Sequence, residues 1–310
     1  MGKIAFMFPG QGAQYVGMGK DFYDTIPVCR EIFDKASELA GFDMKRICFE
    51  ENEEINITEY TQAAMVTVSA AILAAMKEQK FPWADITAGL SLGEYNALLA
   101  SDVLSFDDCC RTVRKRGIYM QEAVPQGIGG MSAVIGLDAK VIEETLQEIN
   151  QGIVEIANYN CPGQIVISGE IDAVKKAGEL LKEAGAKRVL PLNVSGPFHS
   201  SMLKPASEKL YQELKTVEIR PIKVPYIANV TGDVVENPDD IRELLKKQIS
   251  SSVRWQQSME RMIFMGVDTF IEIGPGKTLS NFIKKIDRSK KVLSIATVED
   301  FEKVKKELLT

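Results

Sequence analysis

The sequence predicts an α/β protein whose mainly parallel sheet carries flanking helices and whose chain is interrupted by a small inserted unit. Three observations carry this expectation. Short apolar runs alternate with longer segments of helical period along most of the chain. The run at 86–90 passes directly into a glycine-flanked serine and then a helical segment, as a parallel strand feeding a helix does. Between about 126 and 197 the rhythm becomes strand, helix, strand, strand, helix, strand, the ferredoxin-like βαββαβ order.

The elements follow in chain order. Residues 3–8 are apolar and read as a first strand. Pro9-Gly10 cuts this run too short for a secretory leader. Residues 21–39 and 58–79 have helical character. The most apolar stretch, Ala63 to Met76, carries Thr67 and Ser69 and ends at Lys77. A membrane span needs about 20 apolar residues, so this reads as a buried core helix. A strand at 86–90 precedes a helix at 92–100. Ser105 is a helix N-cap, with Asp107 and Asp108 suited to the positive end of the helix it opens. That helix runs to Val124, where Pro125 and Gly127 stop it.

Within the inserted unit, strands are expected at 131–136, 154–157, 165–168 and 188–190, with helices at 138–149 and 172–184. After it come a helix at 203–215, a strand at 224–228, helices over 239–265, a strand at 268–273, a helix at 278–286 and a last strand near 292. The chain therefore divides into a discontinuous large domain, residues 1–125 and 198–310, and a small one, residues 126–197.

Composition narrows the function. Of 310 residues, 45% are hydrophobic and 26% charged, which is ordinary for a globular chain. The net charge of −6 gives no support for a nucleic-acid partner, and no segment suits a membrane. The five cysteines, Cys29, Cys48, Cys109, Cys110 and Cys161, are odd in number and lack metal-ligand or redox spacing. They predict reduced thiols in a cytoplasmic protein with no bound metal.

The chemistry gathers on three residues. Gly89-Leu-Ser-Leu-Gly93 is a G-x-S-x-G pattern between an expected strand and helix, the context in which its serine, Ser91, is a nucleophile. The glycines are expected to allow the sharp turn, and the helix N-terminus favours developing negative charge. A serine needs a base at neutral pH, and His199 is the one histidine in the chain. No acid declares itself as a third member. Asp138 and Asp172 both look like helix-start residues of the inserted unit, so a carbonyl is an alternative partner for the imidazole. Arg116 lies at the edge of the apolar stripe Phe106, Cys109, Val113, Gly117, Met120, Val124, whereas Arg111, Arg114 and Lys115 fall away from it. It either snorkels, pairs a structural carboxylate, or faces the pocket and reads a carboxylate on the substrate.

Longer blocks carry a resemblance. They are Phe8-Pro-Gly-Gln-Gly-Ala-Gln14, Gly89-Leu-Ser-Leu-Gly-Glu94, Arg116-Gly117 with Met120-Gln-Glu-Ala-Val-Pro125, Asn160-Cys-Pro-Gly-Gln-Ile-Val-Ile-Ser-Gly169, Gly196-Pro-Phe-His199 and Glu272-Ile-Gly-Pro-Gly276. In that order they resemble the malonyl-CoA:acyl carrier protein transacylase family of bacterial type II fatty acid synthesis. The resemblance implies a hydrolase-like core with a ferredoxin-like insert. It implies that Ser91 is acylated, that His199 is base and then acid, and that Arg116 holds the malonyl carboxylate. It also implies an oxyanion hole from the backbone N–H groups of Gln11 and Leu92, and a Gln248 carbonyl that orients His199. Met120, Phe198, Asn160 and Gln62 are implied as supporting residues; Phe198 resembles the malonyl-selective form of a related polyketide acyltransferase motif. Malonyl-CoA is then a substrate, acyl carrier protein the partner, and no cofactor is permanently bound.

The chain departs from the family pattern at Leu90, where histidine is usual, and in Tyr60-Thr-Gln-Ala-Ala64, which lacks a common proline. Alternatives are a trans-acting polyketide acyltransferase, a serine thioesterase or esterase, and a non-catalytic carrier-binding scaffold. A nucleotide site at Gly274-Pro-Gly-Lys-Thr278 fails the phosphate-loop pattern because Ile271 stands where glycine is needed, and Gly10-Gln-Gly12 lacks its third glycine at Tyr15.

Overall fold

A computed structural model describes residues 2–125, 127–194 and 196–309. The expected domain edge at Gln126, Ser195 in the loop before His199, and both terminal residues lie outside the described residues. The strands are β1 (Lys3–Phe8), β2 (Ile86–Gly89), β3 (Gly129–Ile135), β4 (Val154–Cys161), β5 (Gln164–Glu170), β6 (Arg188–Pro191), β7 (Tyr226–Ile227), β8 (Val267–Ile273) and β9 (Lys291–Ile295). They form two sheets. The first has order β7-β2-β1-β8-β9 and is parallel throughout; the second has order β4-β5-β3-β6 and is antiparallel. The α/β core with an inserted α+β unit is therefore as expected.

A parallel sheet covered on both faces needs apolar side chains on both, which is why β1 reads as an unbroken apolar run. Ile4, Phe6 and Phe8 join the larger core cluster, while Ala5 and Met7 point the other way into a second one. The larger cluster holds the helix Thr58–Glu78, which is buried almost all round and packs along the helix Phe106–Glu122. The antiparallel sheet buries Val134, Ile156, Ile165 and Ile167 under its own helices, Ala139–Gln147 and Ile171–Glu183. Its other face turns Met131, Ala133 and Val166 toward the main core. Backbone bonds tie the antiparallel sheet to the segment before the helix Trp255–Phe264: Tyr159 N–H donates to the Val253 carbonyl (2.9 Å) and Val253 N–H to the Ala157 carbonyl (2.8 Å).

Several expectations need correcting. The helix at 21–39 is two helices, Lys20–Thr25 and Pro27–Ala40. Pro27 disfavours helical backbone at the residue before it, and Ile26 is extended (φ −116°, ψ 113°). The strand at 154–157 continues to Cys161 through two register shifts. Those shifts, with Asn158 and Asn160, hide the alternation by which a strand is read. The strand at 224–228 shrinks to two residues, since Pro225 has no N–H to donate. Two helices were not foreseen. Met44–Phe49 is capped by the Asp43 carboxylate, and Val298–Leu309 buries Phe301, Val304 and Leu308 along one face.

The junction of β1, β2 and the helix Gly93–Ala100 is packed backbone to backbone. A Cβ on Gly93 would lie 2.1 Å from the Phe8 carbonyl oxygen, and one on Gly89 would lie 1.9 Å from the Gly93 carbonyl carbon. Neither obstacle is a side chain that can swing away. Gly93→Ala is therefore expected to destabilise by about 3 kcal/mol or more, at the upper end of overpacking effects. Chemical denaturation of the variant and the parent checks this; an unchanged midpoint would contradict the packing described.

Candidate active site

β2 ends at Gly89, and two residues later the backbone of Ser91 takes a left-handed conformation (φ +52°). The sequence assigned the sharp turn to the flanking glycines. In the structure the positive φ belongs to Ser91 itself, and Gly89 and Gly93 serve close approach instead. Such backbone in a non-glycine residue costs roughly 1–2 kcal/mol. Asn229 holds it: its Oδ1 accepts from Ser91 N–H at 2.6 Å, and its Nδ2 donates to the Gly89 carbonyl at 2.7 Å. The helix Gly93–Ala100 begins immediately after, so the N–H of Leu92 belongs to a helix N-terminus whose amides have no partners within the helix.

His199 also has positive φ (+58°) and is buried. Its Nε2 lies 2.7 Å from Ser91 Oγ and its Nδ1 lies 2.8 Å from the Gln248 carbonyl oxygen. A carbonyl only accepts, so Nδ1 carries the proton and Nε2 turns its lone pair to the serine hydroxyl. Burial, and next the positive charge of Arg116, push the imidazole pKa down to about 4. The ring is thus neutral at physiological pH, the state a proton acceptor requires. Among the described residues no carboxylate completes a triad. Asp138 caps its own helix through Lys140 N–H, and the Asp172 side chain is 99% exposed.

Arg116 is fully buried. Gly117 makes this possible. A Cβ there would lie 2.7 Å from Glu59 Cα, so its absence lets the helices Phe106–Glu122 and Thr58–Glu78 close on one another. Arg116 Nη1 then donates to Gln62 Oε1 (2.7 Å), and Nη2 to Gln248 Oε1 (3.0 Å) and Ser91 Oγ (3.2 Å). The guanidinium carbon lies 5.8 Å from the Tyr95 ring centroid. Among the described residues Arg116 forms no ion pair. It is too buried to snorkel, and no carboxylate lies within ion-pair distance among the described residues, although the buried Glu94 acts on its charge from farther off. Burial lowers its pKa, an effect opposed in part by the nearby Tyr95 and Glu94 side chains; a guanidinium stays protonated, so a buried cation faces the serine hydroxyl.

These groups meet at a cleft of about 260 Å³ between the two sheets. Gln11, Gln62, Arg116 and Met120 line it with Ser91 on the core side, and Met131, Asn160 and Val166 line the side of the antiparallel sheet. Phe198 and His199 close it. Leu92 and Gln248 lie behind this lining and are buried. The Gln11 side chain donates to Thr58 Oγ1 at 3.0 Å. Asn160 Oδ1 is buried with no hydrogen-bond partner among the described residues. Leu90, in place of histidine, lines the cleft and packs against the second core cluster.

The sequence assigns no role to two residues of the site, Asn229 and Glu94. Glu94 was visible within the glycine-serine block and is buried there. Asn229 has no local signal, since its partners lie about 140 positions away. The rival nucleotide site has no room for phosphate. The N-terminus of the helix Thr278–Ile286 is occupied by the buried Glu272 carboxylate, which accepts from Leu279 N–H (3.1 Å) and Ser280 N–H (2.8 Å).

A serine hydroxyl on a strained turn, a neutral imidazole and a buried guanidinium, all on one cleft, suit acyl transfer involving an acidic acyl group. Comparison with known proteins agrees. The acyl transferase domain family matches residues 5–307. The malonyl CoA-acyl carrier protein transacylase of Bacillus subtilis is 47% identical over 305 residues, covering 97% of this chain and 96% of that protein. The crystal structure of the Clostridium perfringens malonyl CoA-acyl carrier protein transacylase superposes with a TM-score of 0.95 at 47% identity, covering 99% of this chain and 97% of that one. A malonyl-transacylase solved in complex with its type II PKS acyl-carrier protein gives a TM-score of 0.96 at 37% identity, covering 98% and 99% of the two chains. With the family model spanning nearly its whole length, this chain belongs to the acyl transferase domain family.

Proposed function

We propose that this chain is an acyl-carrier-protein S-malonyltransferase that moves a malonyl group from coenzyme A to the phosphopantetheine thiol of acyl carrier protein. The single observation that carries the reading is Arg116, a buried cation with no carboxylate in ion-pair reach among the described residues, 3.2 Å from the Ser91 hydroxyl. A malonyl carboxylate supplies the missing charge and is held beside the nucleophile. Gln62 and Gln248 already direct the guanidinium, Met120 and Phe198 shape the apolar wall, and Asn160 offers its unpartnered amide oxygen to the bound thioester's polar arm.

The reaction runs in two halves. Ser91 Oγ attacks the thioester carbonyl while its proton passes to His199 Nε2, and the C=O electron pair moves to oxygen. The backbone N–H groups of Gln11 and Leu92 receive that oxyanion; losing one such donor costs about 2.7–4 kcal/mol in enzymes generally. The intermediate collapses, the C–S bond breaks, and the coenzyme A thiolate takes the proton from His199. In the second half His199 deprotonates the carrier thiol, which attacks the malonyl-serine ester, and Ser91 Oγ leaves with the proton. The Gln248 carbonyl holds the imidazolium through Nδ1, so a dyad suffices. Malonyl-CoA is substrate, and no permanently bound cofactor enters either half.

We also propose that residues 1–125 and 198–310 act as the large domain and 126–197 as the small one, with the cleft between them. A cytoplasmic role in fatty acid synthesis is proposed with them; the five cysteines are free and buried, and no helix among the described residues is long and apolar enough to cross a membrane.

The assignment is tested by mixing the protein with labelled malonyl-CoA and isolating it. Label is expected on the parent and absent from Ser91→Ala; label persisting on that variant would overturn the proposal.

A second test follows from the depressed imidazole. The free enzyme should hold His199 neutral down to about pH 4, well below the ordinary 6.5. kcat/KM for malonyl-CoA reports the free enzyme and should stay level until pH approaches that value. In the complex the substrate carboxylate offsets the Arg116 charge, so the acid limb of kcat should lie at higher pH than that of kcat/KM. A kcat/KM profile already falling near pH 6.5 would contradict this.

A further inference from the structure

Glu94 takes no part in the steps above, yet two residues that align the site converge on it. It sits in the first turn of the helix Gly93–Ala100, three positions past the nucleophile, and is 1% exposed. Its Oε2 accepts from Gln248 Nε2 at 2.7 Å and from the Asn229 backbone N–H at 3.2 Å.

Gln248 reaches all three functional residues. Its carbonyl accepts from His199 Nδ1, its Oε1 accepts from Arg116 Nη2, and its Nε2 donates also to the Ser91 carbonyl at 2.8 Å. Asn229 clamps the Ser91 turn through Ser91 N–H and the Gly89 carbonyl. A primary amide can rotate by half a turn, exchanging its oxygen and its NH₂. For Gln248 that rotation would aim two donors at the Arg116 guanidinium, which has no acceptor to offer. Glu94 and the Ser91 carbonyl, both acceptors, stand on the NH₂ side and fix the orientation.

We propose that Glu94 is a positioning residue: as acceptor for Gln248 Nε2 and Asn229 N–H, it locks the amide that directs Arg116 and the turn that presents Ser91. The proposal rests on the assignment of Ser91, His199 and Arg116 given above. The acceptor role does not require ionisation. Burial raises the Glu94 pKa to about 7, and a proton on Oε1 leaves Oε2 free to accept. Oε1 has no hydrogen-bond partner among the described residues, so a glutamine can keep its oxygen at the Oε2 position and put its nitrogen there.

The test compares Glu94→Gln, Glu94→Ala and Ser91→Ala with the parent, each confirmed folded by its unfolding transition. It measures kcat for malonyl transfer and the ratio of malonyl to acetyl loading. Glu94→Ala is expected to lower kcat by on the order of 100-fold, the scale of a misplaced reacting group. It should also lower the malonyl:acetyl ratio, because Arg116 loses its guide. A residue that merely supports folding would depress both acyl groups alike. Glu94→Gln should remain within about tenfold of the parent, with the ratio preserved. An active Glu94→Ala, a Glu94→Gln as impaired as the alanine variant, or a fall in kcat with an unchanged ratio would overturn the proposal. If Glu94→Ala does not fold, Glu94→Asp, which withdraws the acceptor by one methylene, carries the same comparison. Ser91→Ala separates the two levels. Loading retained on that variant removes the site assignment itself, whereas loading lost there, with kcat and the malonyl:acetyl ratio of Glu94→Ala both at the parent's level, removes only the role of Glu94.

Discussion

A guanidinium sealed inside the protein, whose hydrogen-bond acceptors among the described residues are all neutral oxygens, is the constraint from which the rest of this site follows. Desolvating a cation costs several kcal/mol even after relaxation, and full compensation needs an opposite charge. Arg116 has instead two glutamine oxygens and a serine hydroxyl. On the proposed assignment the pocket receives an anion and holds it next to the Ser91 hydroxyl. The same charge acts on His199. It adds to burial in keeping the imidazole neutral, which makes the base available without a carboxylate behind it.

Presenting these groups requires backbone that most residues avoid. Ser91 and His199 both have positive φ, and each is held by contacts from distant parts of the chain. Asn229 and the tight junction of Gly89, Gly93 and Phe8 fix the serine turn. Around His199, Ser200 Oγ donates to the Pro197 carbonyl at 2.7 Å and Ser201 N–H to Glu155 Oε2 at 2.5 Å. Glu155 lies on β4, so the antiparallel sheet helps secure the loop that carries the base. The same strand is tied to the main core through Val253, close in sequence to Gln248. The inserted unit thus forms one wall of the cleft and also secures the loop that carries His199.

Much of this was legible in the sequence, and what was missed has definite causes. The strand–serine–helix order and the single histidine pointed to Ser91 and His199 because their chemistry is carried by the residues themselves. Arg116 could be placed on a helix edge but not oriented, since helical period fixes a face and not what lies opposite it. That depended on Gly117, whose missing side chain brings Gln62 within reach, a contact 54 positions apart. Asn229 was invisible for the same reason, more strongly. The extension of β4 was hidden by its own irregularity, while the break at Ile26 was present in Pro27 and overlooked. The turn at Ser91 shows a subtler error: glycines flanking a sharp turn need not carry the positive φ, and here they clear space for it.

The most direct test of the central claim offers an equimolar mixture of malonyl-CoA and acetyl-CoA to the parent and to Arg116→Ala, then maps the acylated peptide by mass spectrometry. The parent should carry malonyl on the peptide containing Ser91 in large excess over acetyl, and the variant should lose that preference by on the order of 100-fold, the lower part of the range expected for a buried charge pair. Equal malonyl and acetyl loading on the parent, or a preference unchanged by removing the guanidinium, would contradict the account.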